Sequence, residues 1–129
     1  MQTVIQLCID GTVEAAEMYK EAFNLSLGSD VKHDDGTFAH LSLMHENNEI
    51  LSMTERSKAS NDKGTKQPND AQPTTAIGIY GLSKEAVNKA YEILKKDAKN
   101  ILNGPTSCPW LELYFILTDK FGVMWQVGT

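Results

Sequence analysis

One order of elements occurs twice in this chain, and that repetition restricts the fold more than any single motif does. Residues 3–9, Thr-Val-Ile-Gln-Leu-Cys-Ile, are β-branched and alternate, which predicts a strand. Ile5, Leu7 and Ile9 form one face of it, and Val4, Gln6 and Cys8 the other. Asp10-Gly11 breaks the strand, and Thr12 is placed to cap a helix over residues 13–24. In that helix Ala15, Ala16, Met18, Tyr19, Ala22 and Phe23 fall at helical spacing, and Asn24 stops it. Strands follow at 25–32, 38–45 and 49–54, the first two joined by the hairpin turn Asp34-Asp35-Gly36.

After a polar stretch the same order returns. A strand is predicted over 74–80, then a Ser83-capped helix over 84–97, with Lys95 and Lys96 in the last turn where the helix dipole favours cations. A short strand at 99–102 ends at Asn103-Gly104-Pro105, and a long one covers 110–118. The turn Thr118-Asp119-Lys120 feeds a last strand, in which Val123, Trp125 and Val127 face one way and Met124 and Gln126 the other. One helix covers only one face of its strands, so the free faces must line something. The expected architecture is α+β: paired βαβββ modules, mixed curved sheets forming a cleft, and helices outside. Residues 1–129 read as a single domain, with module 1 at about 1–55, a polar loop at 56–73 and module 2 at about 74–129.

Composition excludes several functions. The formal net charge is −5, and Lys58, Lys63 and Lys66 are diluted by Asp62 and Asp70, so no nucleic-acid footprint is present. No apolar run approaches the ~20 residues of a membrane span, and the N-terminus lacks signal-peptide character; a cytoplasmic protein is expected. Cys8 and Cys108 are too few for a disulfide framework, and Cys8 reads as a small buried apolar residue.

Asp10-Gly11 with the run Ala15-Ala16-Glu17-Met18-Tyr19-Lys20-Glu21-Ala22-Phe23, then Ala39-His40, Trp110, and Thr118-Asp119-Lys120-Phe121-Gly122-Val123-Met124-Trp125, span most of the chain in order. In these pieces it resembles the vicinal oxygen chelate superfamily, which includes glyoxalases, bleomycin resistance proteins and dioxygenases, and within it the PhnB-like branch. The resemblance implies the fold derived above, a pocket on the concave side of each sheet, and a homodimer. Catalytic members hold a divalent ion with about four His, Glu or Gln ligands from four strands. The matching positions here offer Gln126, Val4 or Gln6, Thr74 or Thr75, and Ser52 or Thr54. No charged quartet assembles from these, so no cofactor is expected. If a metal is bound, its ligands would be His40, Glu112 and Gln126.

If the Leu- and Ile-rich faces meet the helices, the opposite faces gather the ligand-binding candidates Gln6, His40, Ser42, Ser52, Tyr80, Trp110, Glu112, Tyr114 and Gln126. Phe38, Met44 and Met124 share those faces and fit a small core better than a binding site. His40 suits ligand binding or a structural bond to a neighbouring strand. Glu112 suits an acid–base pair with His40 or a strand edge in water. Trp110, Tyr80 and Tyr114 suit a flat aromatic or cationic small molecule. Ser42 and Ser52 lack a partner arrangement for nucleophilic catalysis. Three functions follow: metal-free small-molecule binding; a metal-dependent lyase, isomerase or dioxygenase; and a structural or partner-binding role.

Overall fold

A computed structural model of the chain describes residues 1–59 and 73–129. Most of the expected polar loop 56–73 therefore lies outside the described residues. The chain divides into two compact units, Met1–Ala71 and Gln72–Thr129, each built in the predicted βαβββ order.

The first unit contains β1 (Gln6–Ile9), α1 (Thr12–Phe23), β2 (Ser26–Lys32), β3 (Phe38–His45), β4 (Asn48–Glu55) and the single turn α2 (Arg56–Ala59). Its sheet runs β1-β4-β3-β2, with β1 parallel to β4 and the other pairs antiparallel. Alternation in β3 and β4 sends Leu41, Leu43, Leu51 and Met53 inward, where they are buried with Ala15, Ala16 and Tyr19 of α1. Asn24 ends α1 in the left-handed conformation, as expected. The turn after β2 closes with His33 N donating to Thr37 O and Gly36 at φ +87°.

The second unit contains β5 (Ala76–Ile79), α3 (Lys84–Leu94), β6 (Asn100–Cys108), β7 (Leu111–Thr118) and β8 (Met124–Gly128). Its sheet runs β5-β8-β7-β6, again with one parallel pair, β5 with β8. Val87, Ala90 and Leu94 of α3 are fully buried, as are Phe115, Leu117, Trp125 and Val127 of the sheet. The Tyr91 and Phe115 rings meet at 5.3 Å and 58°, a tilted pair. Ser83 Oγ accepts from Ala86 N at 3.1 Å, the predicted cap. Asp119 organises the last turn. Its Oδ1 accepts from Phe121 N at 2.9 Å and Val123 N at 3.0 Å, and its Oδ2 from the buried Trp125 Nε1 at 2.8 Å. Among the described residues no helix is long and apolar enough to cross a membrane.

Several expectations are corrected. β1 starts at Gln6 rather than at residue 3, and β5 covers Ala76–Ile79 rather than 74–80. α3 ends at Leu94, so Lys95 is its C-cap and the last turn carries no base. β6 does not stop at Asn103-Gly104-Pro105 but runs to Cys108. It passes the proline as an edge strand, where a missing amide costs no ladder bond, and its register shifts on both sides of that segment. β7 begins at Leu111, leaving Trp110 in the preceding turn. Arg56–Ala59 is helical rather than loop; Arg56 Nη2 and Ser57 N donate to Asp10 at 2.7 and 3.1 Å. Cys8 is exposed rather than buried, because it lies on the face of β1 away from α1.

Thr12 is not the cap of α1. Gly11 takes that position at φ 88°, and Thr12 is the first helical residue, fully buried. The capping acceptor comes from Glu55 at the end of β4. Its Oε1 accepts from Gly11 N at 2.9 Å, and its Oε2 accepts from Thr12 N at 2.9 Å and Thr12 Oγ1 at 2.6 Å. Thr12 Oγ1 then accepts from Phe38 N at 3.1 Å, tying α1, β3 and β4 together.

Candidate functional site

In each unit the sheet face turned away from its helix carries the candidate side chains. On the first sheet they stand in rows set by the register. Gln6 pairs with Ser52 and Ser52 with Ser42, so three candidates line up across β1, β4 and β3. Two of them are committed to the fold. Ser42 Oγ accepts from Ser29 N at 2.9 Å, inside the β2 irregularity between Leu27 and Asp30. Ser52 Oγ points to Ile5 O at 3.4 Å. Both serines are buried, whereas Gln6 is exposed. The next row joins Cys8 to Thr54. The pairing of Leu41 with Met53 sets His40 opposite Thr54, and Val31 pairs with His40 on its other side. His40 is half-buried, and Thr54 Oγ1 donates to Ala39 O at 2.9 Å.

On the second sheet Gln126 lies between Gly78 of β5 and Ile116 of β7. Met124 lies between Ala76 and Thr118, and Tyr114 pairs with Gly128. The Tyr80 ring folds back over Gly78: a Cβ there would lie 2.8 Å from Tyr80 Cε2. Tyr80, Tyr114 and Gln126 thus share one face. Trp110 is apart from them, 78 % exposed in its turn. Glu112 is also exposed, and its carboxylate lies 3.4 Å from Lys84 Nζ at the start of α3. An exposed ion pair of this kind contributes little. Glu112 thus stands in water near the start of β7, an interior strand of its sheet.

Two features were not visible in the sequence. Glu55 had no local pattern to mark it, since its partners are more than 40 residues away. Thr118 Oγ1 is buried, with no hydrogen-bond partner among the described residues; a threonine ending a strand carries no signal of that.

A divalent ion requires several carboxylate, imidazole or thiolate donors converging on one point. Among the described residues no group of three His, Cys, Asp or Glu side chains does so. Glu55, next to Thr54 in β4, is spent on the amides of α1, and Glu112 is drawn to Lys84. Gly78, directly across the ladder from Gln126, supplies no donor.

Comparison with known proteins places this geometry. The fold matches that of a PhnB protein from Bacillus cereus, with a TM-score of 0.75 and 20 % identity over 99 % of this chain and 98 % of that one. Protein PA1353 from Pseudomonas aeruginosa gives 0.74 and 20 %, over 99 % and 96 %. The fosfomycin resistance protein FosX from Listeria monocytogenes, solved with Mn(II) and sulfate, gives 0.65 and 8 %, over 100 % and 91 %. At these identities the likeness is one of fold. No curated protein sequence matches the chain. The family profile described as Glyoxalase/Bleomycin resistance protein/Dioxygenase superfamily matches residues 3–127, nearly the whole length, and the chain belongs to that superfamily.

Proposed function

We propose that the protein binds a small molecule on the helix-free faces of its sheets, without metal-dependent catalysis. The observation that carries this is the make-up of the second sheet's free face: Tyr80, Tyr114, Ile116 and Met124 around the Gln126 amide. Tyrosine rings stack on flat or cationic guests, and a carboxamide both donates and accepts. A buried hydroxyl without a partner, as at Thr118, costs about 1–3 kcal/mol, which a polar ligand atom would recover. The net charge of −5 favours a cationic guest. Gln6 and His40 on the first sheet offer a second set of polar contacts. The same reading takes the protein as a homodimer; β2 is exposed along its whole length, an edge that pairing between copies would cover.

The test begins with metal content of protein purified without chelator. Melting curves with Mn, Fe, Ni, Zn and Mg follow, and then with the flat aromatic cations proflavine and ethidium. A ligand at 100 times its Kd stabilises the native state by about 2.7 kcal/mol. Expected are no stoichiometric metal, no shift with any metal, and a rise with a flat cation that Tyr80→Ala and Gln126→Ala abolish. FosX shares the fold and was solved with Mn(II), so the opposite result is concrete. A near-stoichiometric ion lost in His40→Ala or Glu112→Ala would replace this reading with a metal-dependent enzyme. Sedimentation velocity decides the dimer separately.

A further inference from the structure

The first strand is shorter than its sequence suggests. Thr3, Val4 and Ile5 are β-branched, yet β1 begins only at Gln6. Its parallel register runs from Gln6 with Ser52 to Ile9 with Glu55. Continued backwards, that register sets Ile5 against Leu51, Val4 against Ile50, Thr3 against Glu49 and Gln2 against Asn48. The two segments are instead parted by a cavity of about 320 Å³, lined by residues 2–5 and 48–50. One rung already reaches past the strand: Ser52 N donates to Ile5 O at 2.8 Å. The cavity therefore lies between the two halves of an unfinished ladder. The bond from Ser52 N to Ile5 O closes the existing ladder at the Gln6 end, where the cavity begins.

We propose that residues 2–5 are a strap that closes onto the free edge of β4. In the parallel pattern, the bond from Ser52 N to Ile5 O dictates the next rungs: Ile5 N to Ile50 O, Ile50 N to Thr3 O, and Thr3 N to Asn48 O. Alternation sends the Ile5 side chain to the α1 side with Leu7 and Leu51, and Val4 to the free face beside Ile50. In the splayed form Val4 is 51 % and Ile5 43 % exposed, so closure removes apolar surface from water. The ordering entropy of four residues opposes it. Closure also fixes Gln6, because the strand then continues on both sides of it. The strap thus controls how firmly a polar contact of the free face is held.

Amide hydrogen exchange and methyl contacts, measured by NMR on the full chain, test this. Closure predicts that the Thr3, Ile5 and Ile50 amides exchange about tenfold or more slowly than in a free chain, and that Val4 and Ile50 methyls show a mutual NOE. Thr3→Pro removes one rung's donor, so protection at Ile5 and Ile50 should fall while Leu43 in β3 keeps its own. Free-chain exchange at all three amides without the methyl contact overturns the proposal. So does protection at Ile5 and Ile50 that Thr3→Pro leaves unchanged. If Thr3→Pro also strips protection from Leu43, the unit has unfolded, and the methyl contact in the parent protein decides alone.

Discussion

Glu55→Gln is the sharpest perturbation of the first unit, because the substitution keeps size and removes only charge and one acceptor. Glu55 is 5 % exposed, and its carboxylate accepts three hydrogen bonds, from Gly11 N, Thr12 N and Thr12 Oγ1. An amide oxygen can serve two of these donors, and its NH₂ then faces the third. A hydrogen bond to a charged group contributes about 1.5–3 kcal/mol, and charge at a helix N-terminus adds about 0.3–1 kcal/mol. Against this, a neutral side chain is easier to bury than a carboxylate. The net expectation is a loss of about 2–3 kcal/mol, or a fall in Tm of roughly 10 °C for a chain of this size. Urea denaturation followed by far-UV circular dichroism reads it. Thr12→Val removes the hydroxyl that links Glu55 to Phe38 N, so a double-mutant cycle with Glu55→Gln should give a coupling of about 1 kcal/mol or more. A loss below about 0.5 kcal/mol for Glu55→Gln, with no coupling, would refute the assignment of Glu55 as the cap of α1.

Three further outcomes are expected. Asp119→Asn keeps an acceptor for the Phe121 and Val123 amides but turns an NH₂ toward the buried Trp125 Nε1; chemical denaturation should show a loss of about 2–4 kcal/mol. Gly122→Ala forces a Cβ residue to φ +86°, where among the described residues the only near atom is Lys99 Nζ at 3.5 Å; the cost is therefore conformational, about 1–2 kcal/mol by the same assay. The Thr37 hydroxyl and amide, together with Lys58, hold the exposed Asp35 carboxyl well below the usual carboxylate range. A depressed folded value means that any stabilisation is present above the unfolded value and lost as pH falls through the folded one. Thr37→Ala should raise the Asp35 value toward about 3.9, read from its carboxyl carbon in an NMR titration.

How much was legible depends on how local each determinant is. The turn at Asp119 could be read because donors and acceptor lie within six residues, and Gly122 must supply the positive φ. Ser83 as a cap and Asn24 as a stop were readable for the same reason. Alternation in 38–45 and 123–127 identified Leu41, Leu43, Trp125 and Val127 as core, because a strand face is a period of two in sequence. The candidate site was legible only as a list of faces. Register decided which members meet: it set Tyr114 and Gln126 on one sheet face and spent the Ser42 and Ser52 hydroxyls on strand backbones.

The sequence by itself determined two βαβββ units, the buried faces of β3, β4, β7 and β8, and the chemistry available on their other faces. Those properties follow from periodicity and from turn residues acting on their neighbours. Tertiary structure alone decided that Glu55 rather than Thr12 caps α1, that Tyr80 lies over Gly78, that Glu112 turns to Lys84, and that β1 stops short of Thr3. Each of these joins groups distant in sequence or depends on a strand edge. A side chain's partner across a sheet is fixed by register, and register is set by the packing of the whole unit.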